Sequence, residues 1–233
     1  MSQAPRHGAL PVEHDKTRFT LWAPDARAVE VEFDNGLRQP MAAETDGWFQ
    51  ATLPASPGTL YRFIINGELK VPDPASRAQH DDVHGYSKVV DHSGFHWRQQ
   101  DWAGRPWHET IIYEVHVGLL GGYKGVQAYL PYLQRLGVTA IELMPLGEFP
   151  GARNWGYDGV LPFAPESSYG TPEELKELVD SAHALGLMIY VDVVYNHFGP
   201  DGNYLYHKPS NVLLRLLPRS EWPQHGEPRL CRI

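Results

Sequence analysis

The chain has 233 residues, a formal net charge of −8 and a single cysteine, Cys231. That length admits one large domain or two modest ones. The acidic balance argues against a nucleic-acid partner, which needs a basic patch, and one cysteine rules out an intrachain disulfide. No stretch reaches the ~20 apolar residues of a membrane span. The opening "MSQAPRHGALPVEHDK" lacks the apolar centre of a signal peptide, so a reducing cytoplasm is the expected compartment. With 7 Trp and 12 Tyr, the chain has aromatics to spare for stacking on flat sugar faces, although most single aromatics serve a core.

Residues 10–92 read as short strands. In "RAVEVEFDNG", Val29, Val31 and Phe33 alternate with Glu30 and Glu32 and end on Asn35–Gly36, a period of two followed by a hairpin turn signal. "RFTLWAP" before it, and "GWFQATLP" and "TLYRFIING" after it, have the same character. Strands at this spacing predict an antiparallel β-sandwich, with Trp22, Trp48 and Tyr61 expected in its core. "VPDPASRAQHDDVHG" breaks the pattern with prolines and polar residues and reads as a connector; a second connector is expected over 93–109.

From about Thr110 the rhythm changes. "TIIYEVHVG" is a short apolar strand. "GVQAYLPYLQRLG" sets Val126, Leu130, Leu133 and Leu136 at helical spacing, with Gly137 closing the helix and Pro131 expected to kink or restart it. "VTAIELMPL" is a second strand, and "GEFPGARNWGYDGVLPFAPESSYG" a long loop. "TPEELKELVDSAHALG" is a marked helix: Thr171 at the N-cap, Pro172 at the first helical position, Glu174 completing a capping box, Gly186 ending it. Its expected apolar face is Leu175, Leu178, Val179, Ala182 and Leu185. "LMIYVDVVYNH" is a third strand, running to Asn196 and His197. Strand and helix in alternation, with near-continuous apolar strands, imply a parallel sheet covered by helices, either doubly wound or a (β/α)8 barrel. Both architectures bind ligands at the C-terminal strand ends. No glycine-rich phosphate loop opens a helix, which counts against nucleotide binding.

The third strand delivers Asp192, Asn196 and His197 to that end. The loop after the second strand adds Asn154, Trp155, Tyr157 and Asp158 on the same side, and polar groups converging from successive strands mark a candidate site. "DVVYNH" resembles the first sequence region of the α-amylase superfamily of glycoside hydrolases. "IIYEVHVG", "YLPYLQRLGVTAIELMPLGEFPG" and "NWGYDGVLPFAPESSYGTPEELKELVDSAHALGLMIYVDVVYNHFGPDGNYL" resemble, within it, the malto-oligosyltrehalose trehalohydrolases. The likeness covers roughly residues 15–206 and is most specific over 110–206.

The resemblance implies an immunoglobulin-like sandwich over 10–92, a connector over 93–109, strands one to three of a (β/α)8 TIM barrel over 110–206, and, in the family, a further C-terminal β domain. It implies hydrolysis of the α-1,4 bond next to the trehalose end of a maltooligosyl trehalose, with no cofactor, no metal and no membrane. Glycogen branching enzymes, which share similar text, and a non-catalytic glucan-binding module are the competing readings. By the resemblance His197 bonds the sugar on the non-reducing side of the cleaved bond, Tyr157 stacks on it, Asp192 orients the site, Asn196 braces the loop, and Trp155 lies in the substrate-binding loop. The chemistry of a retaining glycosidase needs two carboxylates ~5 Å apart, and the family draws them from later strands, so no catalytic residue is assigned among these. The text after Tyr206, "HKPSNVLLRLLPRSEWPQHGEPRLCRI", shows no βα repeat and no nucleophile motif. It is expected to be a non-matching tail (207–233) from truncation or a shifted reading frame, leaving this polypeptide inactive alone. His80 and His84 in "HDDVH" have the spacing of a zinc pair, but no third ligand is evident and the family text matches without metal.

Overall fold

The computed structural model describes residues 7–13 and 15–204; the tail expected over 207–233 lies outside the described residues. Ten strands precede residue 92: β1 (Gly8–Glu13), β2 (Lys16–Trp22), β3 (Val29–Phe33), β4 (Arg38–Pro40), β5 (Ala42–Ala43), β6 (Trp48–Pro54), β7 (Leu60–Ile65), β8 (Leu69–Val71), β9 (Gln79–His80) and β10 (Tyr86–Lys88). They pair antiparallel in two sheets, β1-β2-β6-β5 and β4-β3-β7-β10-β9, with β8 also on β7. Between the sheets lie Phe19, Leu21, Val29, Val31, Phe33, Phe49, Tyr61 and Phe63, the inward residues of the period-two pattern. The β3–β4 hairpin turns where expected, with Gly36 at φ +82° and Gly36 N–H donating to Phe33 O at 2.9 Å.

The sandwich departs from the plain sequence pattern at three places. Glu32, read as solvent-facing, is buried, with Arg38, Arg62 and Lys70 gathered around it. Burial alone would raise its carboxyl, but the guanidinium hydrogen bonds outweigh that and hold it at about 2. Trp22 and Trp48 are half-buried cross-strand partners and not core; of the three aromatics expected there only Tyr61 is fully buried. The "VPDPAS" stretch, read as a connector, is packed in: residues 71–76 are buried. Its prolines leave few N–H groups to satisfy, and Asp73 takes hydrogen bonds from Tyr61 Oη (2.6 Å) and Ala75 N–H (2.8 Å).

After residue 110 the elements are β11 (Ile112–Val115), α1 (Gly122–Leu136), β12 (Ala140–Leu143), β13 (Gly147–Glu148), β14 (Leu161–Pro165), α2 (Pro172–Ala184) and β15 (Met188–Val191). β11, β12 and β15 form a parallel sheet in that order, the opening of a (β/α)8 barrel. β13 and β14 make a small antiparallel pair inside what reads as a loop. Val115, Ile141 and Leu143 pack with Val126, Leu130, Leu133, Leu178 and Ala182 of the helices. The α2 capping box forms as the sequence dictates: Thr171 Oγ1 accepts from Glu174 N–H, and Glu174 Oε2 from Thr171 N–H.

Two features of α1 differ from expectation. The helix runs on through Pro131 without the restart; Pro131 is exposed, while Leu130 and Leu133 on its flanks are buried. Leu136 is 54% exposed, and the buried face is extended at the other end by Tyr123. The third strand is also shorter than its apolar run. β15 stops at Val191 because its partner β12 stops at Leu143, and the last ladder bond is Asp192 N–H to Leu143 O at 2.9 Å. Val193 and Tyr195 are exposed, so Asn196 and His197 stand in a loop beyond the sheet.

Candidate functional site

The parallel ladder aligns Glu114, Glu142 and Tyr190. Their neighbours Val115, Leu143 and Val191 face the helices, so strand alternation turns Glu114, Glu142 and Tyr190 to the opposite face, and Asp192, two residues on, shares it. Asp192 Oδ2 accepts a hydrogen bond from Tyr157 Oη at 2.7 Å. Tyr157's carbonyl in turn faces His197 Nε2 at 3.0 Å. A carbonyl only accepts, so Nε2 carries the hydrogen, and a neutral His197 keeps its Nδ1 lone pair free. The bond to Asp192, with the charges of Asp192, Glu114 and Glu142 nearby, raises the Tyr157 phenol above its ordinary value, which keeps it a donor.

Three of the sequence-predicted residues therefore meet on one open face: Tyr157, Asp192 and His197. Trp155 lies in the same loop and is 73% exposed. Asn196 is exposed and its side chain makes no hydrogen bond among the described residues. It does not brace the loop in this structure.

The loop bearing Tyr157 is shaped by its own residues. Asn154 Oδ1 accepts from Gly156 N–H at 2.8 Å, and Asn154 Nδ2 donates to Asp158 Oδ2 at 2.8 Å. Gly156 sits at φ +94°, where a Cβ would lie 2.2 Å from Pro145 O, so only glycine fits there. From the end of β11, His116 Nε2 donates to Asn154 O (2.7 Å) while its Nδ1 accepts from Leu119 N–H (3.1 Å), which fixes a neutral tautomer. Below the loop two buried carboxyls cross-link its ends: Glu148 accepts from Ser167 N–H and Oγ, and Glu166 from the N–H groups of Phe149 and Ser168. Burial, reinforced by Glu166, pushes Glu148 up to about 8; burial likewise raises Glu166.

The sequence reading missed His116, Glu114, Glu142 and the Glu148–Glu166 pair. The available signal was the position of His116 at a strand end and the odd-even placement of the glutamates; the pair was hidden in a stretch read as loop. His80 and His84 do not meet as ligands. His84's two ring nitrogens lie 2.7 Å from Tyr204 Oη and 3.1 Å from Asp201 Oδ1, and among the described residues no group of three or more His, Cys, Asp or Glu is arranged to hold a metal. A separate cleft of about 440 Å³, between the sandwich and the start of α2, is lined by residues such as His80, Lys88, Asp91 and Glu173 and by no Phe, Tyr or Trp.

The face just described has the chemistry of sugar recognition: a half-exposed phenol ring, a carboxylate and an imidazole. The family model for the alpha amylase catalytic domain matches residues 75–220. The chain belongs to the alpha-amylase family. The match runs past Tyr206, the expected limit of the resemblance. Residues 6–78 match carbohydrate-binding module 48, the isoamylase N-terminal domain. A malto-oligosyltrehalose trehalohydrolase of Deinococcus radiodurans is 48% identical over 204 residues, covering 86% of this chain and 34% of that protein. A 1,4-alpha-glucan branching enzyme of a Jannaschia species is 37% identical over 216 residues, covering 82% of this chain and 31% of that protein. Among solved structures, a Salmonella typhimurium protein assigned as an alpha amylase superposes with a TM-score of 0.83 at 46% identity, over 87% of this chain and 35% of that one. A pullulanase of Paenibacillus barengoltzii, in complex with maltohexaose and alpha-cyclodextrin, gives 0.72 at 25% identity, over 84% and 39%. The chain thus spans about a third of the length of the curated relatives it matches.

Proposed function

We propose that residues 7–204 are the sandwich and first three barrel strands of a malto-oligosyltrehalose trehalohydrolase, which hydrolyses the α-1,4 bond next to the trehalose end of a maltooligosyl trehalose and releases trehalose. In this reading the sandwich spans about 10–92, a connector 93–109 and the partial barrel 110–206. The Tyr157–Asp192–His197 face takes an α-glucan ring, with Tyr157 stacking, Asp192 and His197 bonding its hydroxyls, and exposed Trp155 beside it; the glycosidic bond is broken by carboxylates from later strands. The observation that carries the reading is the hydrogen-bonded chain Asp192–Tyr157–His197. It ties the Tyr157 hydroxyl to Asp192 and the His197 ring to the Tyr157 backbone while Tyr157 stays half-exposed, and an exposed phenol ring can stack on a pyranose. A cytoplasmic location fits the single cysteine and the absence, among the described residues, of any helix long and apolar enough to cross a membrane.

The test is a chimera. Residues 7–204 replace the matching segment of the Deinococcus radiodurans relative, and the product from a maltooligosyl trehalose is identified. Free trehalose is the expected product. New branch points would favour the transferase reading that the Jannaschia match supports, and glucan binding without turnover would overturn both.

A further inference from the structure

Asp82, Val83 and His84 are consecutive, come from the β9–β10 turn of the sandwich, and each grips a different part of the candidate site. Asp82 Oδ2 accepts from Gly151 N–H at 3.0 Å, at the start of the Tyr157 loop. Val83 is fully buried in a small core of its own with Val160, Leu161, Ala164 and Phe198, residues from both site loops. His84 faces Asp201 Oδ1 (3.1 Å) and Tyr204 Oη (2.7 Å) in the loop that follows His197, and its ring meets Tyr204 edge-on at 5.9 Å. A carboxylate only accepts, so Nε2 carries the hydrogen and Nδ1 takes the tyrosine hydroxyl. The turn that presents these residues is tight: Asp81 is left-handed at φ +77°, and Asp82 O accepts from Gly85 N–H and Gln79 Nε2. The loop is shaped to receive it. A Cβ on Gly202 would lie 2.5 Å from Val83 Cγ2 and one on Gly199 2.1 Å from Asp158 O, and Gly199 N–H donates to Gly159 O at 3.2 Å.

We propose that this turn is a clamp from the sandwich onto the glucan-binding face, and that His84 is a positioning residue for His197. His84 tethers Asp201 and Tyr204; Val83 seats Phe198 and Gly202; together they hold the chain on either side of Gly199 and so fix the reach of His197 to Tyr157 O. The link to glucan binding rests on the function proposed above, whereas the clamp itself does not.

The experiment uses the 233-residue chain with His84→Ala, His84→Gln and Tyr204→Phe, and His80→Ala, at the end of β9, as a control. Amide hydrogen exchange reads Gly199, whose bond crosses the two loops, against Asp192, whose bond belongs to the strand ladder. His84→Ala should speed exchange at Gly199 by on the order of tenfold, the factor expected for losing a hydrogen bond to a charged group, and leave Asp192 unchanged. His84→Gln, with one donor and one acceptor, should recover most of the protection, and Tyr204→Phe should reproduce part of the loss. In the same samples the His197 ring-nitrogen shifts should move from a single Nε2–H tautomer toward a mixture in His84→Ala. Unchanged exchange at Gly199, or equal acceleration at Gly199, Asp192 and the sandwich strands, overturns the clamp. If exchange behaves as expected while maltohexaose affinity is the same in wild type and His84→Ala, the clamp stands and the glucan-binding reading of the face falls.

Discussion

Replacing Glu148 by Gln should make the protein more stable at alkaline pH while changing little at pH 5. Glu148 is 1% exposed and its carboxyl is pushed from 4.5 to about 8 by burial and by Glu166. In the unfolded chain the same group ionises near its ordinary value. Below pH 4.5 both states are protonated and the group's favourable contribution is complete. Between pH 4.5 and 8 the unfolded chain has lost its proton and the folded one has kept it, so stability falls as pH rises, and above 8 the loss is complete. Shifting the group from 4.5 to about 8 corresponds to at most about 5 kcal/mol, at about 1.4 kcal/mol per pH unit. Glu166 shares the burden, so an observed difference of about 2 kcal/mol is the reasonable expectation at pH 8.5. Glutamine can keep both contacts, accepting from Ser167 N–H and donating to Ser167 Oγ, which Glu148 now meets at 2.7 and 2.8 Å. Urea unfolding of wild type and Glu148→Gln from pH 5 to 9 gives the difference curve. A variant less stable than wild type by a constant amount at every pH would refute the argument, because the carboxyl would then be contributing as an ordinary ionised acceptor.

Tyr157→Phe removes the bond to Asp192 but keeps the ring, and should weaken maltohexaose affinity about fivefold, whereas Tyr157→Ala also loses the stacking surface and should weaken it more; equal affinities by calorimetry would remove Tyr157 from the site. Gly156→Ala places a Cβ against Pro145 O at positive φ and should cost about 1–3 kcal/mol, seen as a lower melting temperature; an unchanged one would mean the loop can be rebuilt. Expressed as residues 1–233, the polypeptide should release no trehalose from a maltooligosyl trehalose and should self-associate with concentration, because β11 and β15 are unpaired edges among the described strands and Ile111, Ile112 and Tyr113 are exposed beside one of them. A monodisperse, active species by light scattering and product assay would contradict both parts.

What the sequence made legible was local. The α2 capping box needs only residues 171–174, and the hairpin at Asn35–Gly36 needs only a turn between two alternating strands; both could be read directly. Errors arose where a partner decided. "VDVV" continues an apolar pattern, so the third strand read through to His197, yet a strand lasts only as long as its neighbour offers carbonyls, and β12 ends at Leu143. Leu136 has the right helical spacing but is exposed at the last residue of α1, while Tyr123, at the other end of α1, meets Tyr169 across a 6.3 Å edge contact. Asp192 and His197 beyond the third strand, and Tyr157 in the loop after the second, could be singled out as candidates because polar groups beside apolar strands are conspicuous. His116 and Glu148 escaped notice because what identifies them is a bond to a distant carbonyl or hydroxyl.

The site also shows why a sandwich should accompany the barrel at all. Three parallel strands present only the tips of their loops, and loops have few contacts of their own. Here the Tyr157 loop is tied from beneath by Glu148 and Glu166, from β11 by His116, and from the sandwich by Asp82 and Val83. The following loop is joined to it by Gly199 N–H to Gly159 O and by His197 Nε2 to Tyr157 O, and also packs on Val83 and His84. The segment joining the two parts is itself docked: the N–H groups of Arg98 and Gln99 both bond Asp180 Oδ1 at 3.0 Å, and Trp102 stacks on His183 at 4.6 Å. Residues 93–109 thus fix the sandwich against α2 at one end while residues 82–84 fix it against the site loops at the other. A body held at two such points cannot swing without breaking the Asp180 bonds at one or the Val83 and His84 contacts at the other.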